Sequence, residues 1–359
     1  TGIIMKILFC DLLFETGNIH VDNCMIDIMT RDHDVFLLTD ESFVSEKNRK
    51  NPRLKVLGNQ YVENYVNNAF LYYWYLLKRM CLVGKYIRSI KPDLVYISVY
   101  ETKFFPFSRF LFGNLKKVAI VENVNIDFLQ SKLHSLMYRI FAKKVHHIVY
   151  EPLFGGYIQA KYAIPEDLIH VIPHIQYANE YQEDTVKCDV RGDVYDCIAI
   201  SGSNDESLIN EIVCLEKEFH YFENHKIKCL IKCKNIQYES GYLKITNSFI
   251  PTKEYERLYR ECKVVLIPFP LSYKYRMSGC IVDAFSCHKP IVSSNIELAK
   301  FYNKQYGNII KPYSNMQDAI NEIINICSNS KENYSFKGFE HDHSEVEVER
   351  SFNDFISKL

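Results

Sequence analysis

The chain alternates short apolar runs with longer stretches in which apolar residues recur every three or four positions. "MKILFCDLLF", from Met5, is closed by the polar turn "ETGN" (15–18), and apolar residues then return at helical spacing through Ile28 before "HDVFLLTD" (33–40). Continuous apolar runs bounded by turn residues read as buried strands and a 3.6-residue period reads as helix, so the chain opens strand, loop, helix, strand. That unit implies a parallel sheet. "KPDLVYISV" (91–99), "KKVAIVENV" (116–124), "VHHIVYEP" (145–152) and "LIHVIPH" (168–174) continue the series, with helical stretches at 65–90 and 129–143 between them. From Ile175 to Val194 the periodicity fails and charged residues dominate, which reads as a linker.

A second series follows: "DCIAISG" (196–202), "IKCLIKC" (227–233), "YLKITNSF" (242–249), "KVVLIPF" (263–269) and "KPIVSSN" (289–295), with helices expected at 206–223, 252–261, 279–287 and 315–327. The fold class is therefore α/β with two Rossmann-like domains, residues 5–175 and 195–330, and a ligand cleft expected between them at the carboxyl ends of both sheets. Residues 331–359 form a polar tail, expected to cross back over the hinge and end in the helix "SFNDFISKL".

Composition narrows the class. With 359 residues the chain is long enough for two cores, and 13 glycines with 47% hydrophobic residues exclude a disordered or fibrous protein. A net charge of −1 gives no general pull toward nucleic acid. Residues 1–175 carry 21 Lys and Arg against 17 Asp and Glu, so the first half is mildly basic and the second mildly acidic. The twelve cysteines form no metal-knuckle spacing and read as reduced thiols of a cytoplasmic protein. The four residues before Met5 read as a cloning remnant, and no apolar run reaches the length of a membrane span.

The stretch that carries chemistry is "FPLSYKYRMSGCIVDAFSCHKPIVSSN" (269–295). In a parallel sheet a strand-to-helix turn lies at the carboxyl end of its strand. Ser278 is a suitable helix cap, and the first turn from Gly279 offers amide groups and a positive dipole end to an anion. Arg276 adds a planar two-pronged donor, and Tyr273 and Tyr275 could stack on a base or sugar ring. Asp283, a little over one turn into the helix, has the reach to accept hydrogen bonds from a ribose diol. A capped helix with a nearby arginine is also a common structural device, so both readings stand on these residues alone.

The layout "VVLIPF…YRMSGCIVDAFSCHKPIVSSNI" resembles the donor-binding segment of GT-B glycosyltransferases of the family-four type, in which two carboxylates with seven residues between them precede "A-x-(A/S)-x-G-K-P-V-V". "DAFSCHKPIVSSN" is similar to the second half, with Asp283 at the ribose-binding carboxylate; the first carboxylate falls at Tyr275 and is missing. "AKYAIPEDLIHVIPHI" (160–175), with His174 and Ile175 for the usual Asn-Gly, and "KKVAIVENVNIDFLQSKLHSLMYRIFAKKVHHIVY" (116–150), with Glu122 and Asn123 for His-Asn, extend the likeness over roughly residues 5 to 330. Where the family carries an Arg and a Lys after the first strand of the second domain, this chain reads "SGSNDES". Ser201, Gly202 and Ser203 can still donate to phosphate, with Lys232, Lys234 and Arg276 as sources of positive charge.

The resemblance implies transfer of a hexose-type unit from a nucleotide-diphosphate donor, a UDP-sugar co-substrate with no further cofactor and no bound metal, to a saccharide or lipid-linked saccharide in bacterial surface polysaccharide synthesis, with retention favoured over inversion. The acceptor side is expected at Gly17, Asn18 and Asn123, with Glu122 as the leading catalytic carboxylate and His20 as a second candidate. A sugar-nucleotide epimerase and a non-catalytic scaffold on the same fold remain as alternatives. "NNAFLYYWYLLKRMCLVGKYIRSIK" (67–91) is either a core-packed helix or a peripheral membrane patch at the inner face of the plasma membrane, and both readings stay open here.

Overall fold

A computed structural model of the chain describes residues 4–13, 18–58, 68–176, 193–329 and 333–359. They fall into two compact units, Thr1–Ile175 with Val346–Leu359, and Gln176–Glu345. In the first unit the order is β1 (Lys6–Asp11), α1 (Ile19–Asp32), β2 (Asp34–Leu38), α2 (Glu46–Arg49), β3 (Leu54–Val56), α3 (Ala69–Ile90), β4 (Leu94–Val99), α4 (Ser108–Leu111), β5 (Val118–Glu122), α5 (Val124–Phe128), α6 (Lys132–Phe141), β6 (His146–Val149), α7 (Pro152–Tyr162) and β7 (Ile169–Val171). The strands form one parallel sheet ordered β3-β2-β1-β4-β5-β6-β7. Helices cover both faces, so β1 and β4 through β6 are almost wholly buried. This is why their sequences are continuous apolar runs rather than alternating ones.

The second unit repeats the plan with β8 (Cys197–Ala199), α8 (Glu206–Phe219), α9 (Tyr221–His225), β9 (Cys229–Lys232), β10 (Tyr238–Glu239), β11 (Leu243–Thr246), α10 (Thr252–Glu261), β12 (Val264–Ile267), α11 (Gly279–Ser286), β13 (Ile291–Ser294), α12 (Glu297–Tyr306), β14 (Ile310–Tyr313), α13 (Met316–Ser328) and α14 (Lys337–Asp342). Its sheet runs β10-β11-β9-β8-β12-β13-β14, parallel except for the β10–β11 hairpin. Its core joins Ile198's neighbours on β8 to Ile209, Ile212, Leu266, Val292 and Ile320 from the surrounding strands and helices. The tail divides between the units. The last helix, α15 (Glu345–Ser357), belongs almost wholly to the first, where the Phe352 ring meets His33 and the Phe355 ring meets both His146 and His170.

Helix α3 is capped by the Asn68 side chain, which accepts from the amides of Phe70 and Leu71, and it ends at Lys91 in the left-handed region. Midway along it Gly84 lies against α4: a Cβ at Gly84 would stand 2.6 Å from the Leu111 carbonyl oxygen. A backbone atom cannot rotate aside as a side chain would. Gly84→Ala should therefore destabilise the first unit by about 1–3 kcal/mol, the usual range for overpacking, and a denaturant midpoint unchanged from the parent would contradict that close approach.

Candidate functional site

In the second sheet the chain leaves β8 toward β9 on one side and later returns to lay β12 on the other, so strand order reverses at β8. At such a reversal the loops leaving the carboxyl ends of adjacent strands diverge and open a crevice. Here those loops are 200–205, after β8, and 268–278, after β12. The Asp205 amide donates to the Pro268 carbonyl at 2.8 Å, and the Ser201 hydroxyl is hydrogen-bonded to the Cys280 thiol in the first turn of α11. The Asn204 side-chain amide donates to the carbonyls of Ala199 at 2.7 Å and Lys232 at 2.9 Å, tying in the end of β9. Ser201, Gly202, Ser203, Lys232, Ser278 and Gly279 thus share one edge, with Lys234 exposed just beyond it.

Several side chains on this edge differ from expectation. The Ser278 hydroxyl makes no capping bond, so Ser278 is the cap residue by backbone geometry alone and leaves the first-turn amides without a capping side chain. Tyr273 is buried and does not offer a stacking face: the Arg276 guanidinium lies over its ring, 3.3 Å from the centroid, and Phe269 packs against it at 4.5 Å. The tyrosine is a shelf that orients the arginine by cation–π attraction. Tyr275 is half-buried beside them. Asp283 is buried, with one carboxylate oxygen accepting from the Tyr255 hydroxyl at 2.8 Å. Burial, then the nearby Asp283 charge, pushes the Cys280 thiol up, so it stays protonated. Alongside this edge lies a cavity of about 670 Å³ that the sequence did not reveal, with Lys274, Asn295, Ser314 and Asn315 among its polar lining.

In the first unit the expected catalytic carboxylate does not reach a surface. Glu122 is wholly buried and accepts from Tyr100 at 2.9 Å and Tyr138 at 2.7 Å, while its Oε1 lies 2.8 Å from His147 Nδ1. His147 Nε2 is 2.6 Å from the Ala142 carbonyl, which accepts its proton. Burial, followed by the Glu122 charge, holds the Tyr100 and Tyr138 phenols well above their usual range, as donors. The network is a satisfied polar core, and Glu122 is corrected from catalyst to structural residue. His20 sits half-buried in the first turn of α1, its Nε2 3.8 Å from the Cys24 sulfur. Asn18 caps α1 by position without a side-chain capping bond, Asn123 takes the same place before α5, and Gly17 lies outside the described residues.

The first sheet reverses between β1 and β4, and the charged groups there were not singled out from sequence. Asp11 ends β1, its Oδ1 accepting from the Leu13 amide at 2.8 Å; Arg79 of α3 donates to the Leu12 carbonyl at 3.0 Å; Ser98 of β4 donates to Asp22 of α1 at 3.0 Å. Burial, then the Asp11 charge, pushes the Asp22 carboxyl well above the carboxylate range, against the pull of the Ser98 bond. The available signal was a carboxylate closing an apolar strand, "LFCD" (8–11). Among the described residues no group of three His, Cys, Asp or Glu is placed to hold a metal ion.

No family model and no curated protein sequence matches the chain. Solved structures do match over its whole length. Sucrose-phosphate synthase from Thermosynechococcus elongatus aligns at a TM-score of 0.69 with 11% identity over 99% of each chain. HepE from Anabaena, in complex with UDP and glucose, aligns at 0.64 with 14% identity over 99% of this chain and 100% of its own. The chain has the GT-B fold. UDP-GlcNAc 2-epimerase from Methanocaldococcus jannaschii shares this GT-B architecture at 0.61, with 14% identity over 98% and 99% of the two chains.

The raised Asp22 carboxyl makes a test of the first-unit edge. In the folded protein Asp22 keeps a proton that the unfolded chain loses near pH 4, so its contribution to stability is full below that pH and falls as pH rises toward the raised folded value. Asp22→Asn, which cannot ionise, should raise the melting temperature relative to the parent at pH 8 and lose that advantage at pH 4; equal shifts at both values would contradict the placement.

Proposed function

We propose that this chain is a glycosyltransferase that moves a hexose-type unit from a UDP-sugar to a saccharide or lipid-linked saccharide acceptor in surface polysaccharide synthesis. The observation that carries the reading is the convergence of two strand-end loops with the amino end of α11 and the Arg276 guanidinium on one edge of the second sheet. Solved structures of the same fold include HepE bound to UDP-glucose, which supports a uridine diphosphate as the donor's handle.

In this reading the diphosphate lies against the first-turn amides of α11, and Arg276 meets its oxygens with two prongs. Ser201 and Ser203 add hydroxyl donors, Lys232 and Lys234 supply longer-range positive charge, and Asp283, already held by Tyr255, accepts from the ribose diol. When the bond from the anomeric carbon to the phosphate oxygen breaks, negative charge gathers on the departing UDP, and fixed amides and a guanidinium stabilise it without a metal ion. The acceptor hydroxyl, bound at the β1–β4 edge of the first unit near Asn18, His20 and Asn123, forms the new bond to the anomeric carbon. Its proton passes to the departing diphosphate oxygen, which takes the electron pair of the broken bond and is left basic. Retention of configuration is the outcome the family likeness favours.

An epimerase is the second reading, favoured by the UDP-GlcNAc 2-epimerases that share the fold; it would convert UDP-GlcNAc with no acceptor present. Arg276→Ala should raise the Kd for UDP about 10- to 100-fold in a calorimetric titration, as for loss of a charged hydrogen-bond partner. Unchanged affinity would remove Arg276 from the site, and a parent protein that binds no uridine nucleotide would leave only the scaffold.

A further inference from the structure

Helix α6 is amphipathic in an unusual sense, because both of its faces carry apolar residues. Tyr138 and Phe141 turn inward and are buried, while Leu133, Leu136 and Ile140, spaced three and four apart, are exposed, Leu136 at 58%. Residues at that spacing stand above one another on one helix face. The stripe has company. Phe105 packs on Phe141 of α6 at 4.7 Å, and the turn it belongs to leads into α4, where Phe110 is 79% exposed. Phe104 of the same turn stacks on Tyr73 of α3 at 4.5 Å, one turn from the exposed Phe70 and beside the exposed Trp74. Three elements of the first unit that are linked by ring contacts thus each carry exposed apolar side chains.

Positive charge predominates around this surface, where a carboxylate, that of Glu101, approaches α6 at 3.9 Å from His134. Residues 69–92 contain five Lys and Arg, residues 102–117 four and residues 128–145 four, and none of the three segments contains an Asp or Glu. On α6 the cations Lys132 and Arg139 lie to one side of the apolar stripe, and the exposed Lys143 and Lys144 follow just beyond the helix end. On α3 the Lys78 ammonium lies 5.7 Å from the Trp74 ring centroid. A surface made to bind another protein is depleted of lysine at its centre. Apolar and aromatic side chains rimmed by Lys and Arg match an interface of acyl chains beneath anionic headgroups. No helix among the described residues is long and apolar enough to cross a membrane.

We infer that α6, with α4 and the amino-terminal turns of α3, is a monotopic docking face that seats the first unit on an anionic lipid bilayer, with Leu133, Leu136, Ile140 and Phe110 entering the headgroup boundary and the flanking cations pairing with lipid phosphates. The face differs from the single 67–91 segment that composition suggests: α3 lends it only its exposed end, while Leu76, Met80 and Val83 of the same helix are buried in the core. The inference does not depend on what the second unit binds.

The test is co-sedimentation of the full chain, without any sugar nucleotide, with vesicles of phosphatidylcholine and phosphatidylglycerol in equal parts and with vesicles of phosphatidylcholine alone. Binding should require phosphatidylglycerol and weaken as salt rises. The double variant Leu136→Asp/Ile140→Asp should lower the partition coefficient more than about tenfold, while Val346→Asp, at an even more exposed apolar residue on α15, should leave it unchanged. Binding that is absent in the parent, or equal in the double variant, would overturn the inference. A dimer seen by light scattering that the double variant dissolves, with no vesicle binding, would overturn it in favour of a second copy of this chain.

Discussion

The structure depends on one geometric constraint: in a parallel sheet every strand ends on the same edge, and where strand order reverses, nothing in the sheet fills the gap between the departing loops. In the second unit that gap lies where β8 meets β12, and the chain fits it with small hydroxyl-bearing residues on one loop and an arginine followed by a helix start on the other. The bond from the Asp205 amide to the Pro268 carbonyl holds the loops at a fixed separation. Tyr273 holds the guanidinium in place before any ligand arrives, so the entropy of ordering a long side chain is already spent on folding. A site prepared in this way can favour a developing negative charge over the ground state.

Two carboxylates of the first unit are held in different ways. Glu122 is surrounded by Tyr100, Tyr138 and His147, its oxygens fully engaged, and a carboxylate in that state is held for the integrity of the core. Asp22 has the Ser98 hydroxyl on one oxygen and the repulsion of Asp11 nearby. Its folded state tolerates the charge poorly, which costs stability as pH rises through the raised value.

Much of the fold was legible because burial on both faces writes parallel strands as unbroken apolar runs: β1, β5 and β12 follow from "KILFCD", "VAIVE" and "VVLI". Strand β14 was not, since "IKPY" carries a lysine and a proline and pairs only on one side, as an edge where Pro312 is tolerated. The donor edge was legible from the spacing of Arg276, Ser278 and Asp283 around a strand-to-helix turn. The first-unit carboxylates were confused because Asp11 and Glu122 each close an apolar strand and look alike locally. What separates them is tertiary: Glu122's partners lie 16, 22 and 25 residues away in sequence, and no local pattern announces them. Tyr273 was misread for the same reason, its face being taken by a residue three positions on.

The most direct measurement is a crystal structure of the full chain grown with UDP. The account predicts the diphosphate within hydrogen-bonding distance of the amides of Gly279 and Cys280, with the Arg276 guanidinium still stacked on Tyr273 and turned toward the phosphate oxygens. A diphosphate bound at the cavity beside Lys274 and Asn315, or elsewhere on the second unit, would contradict it.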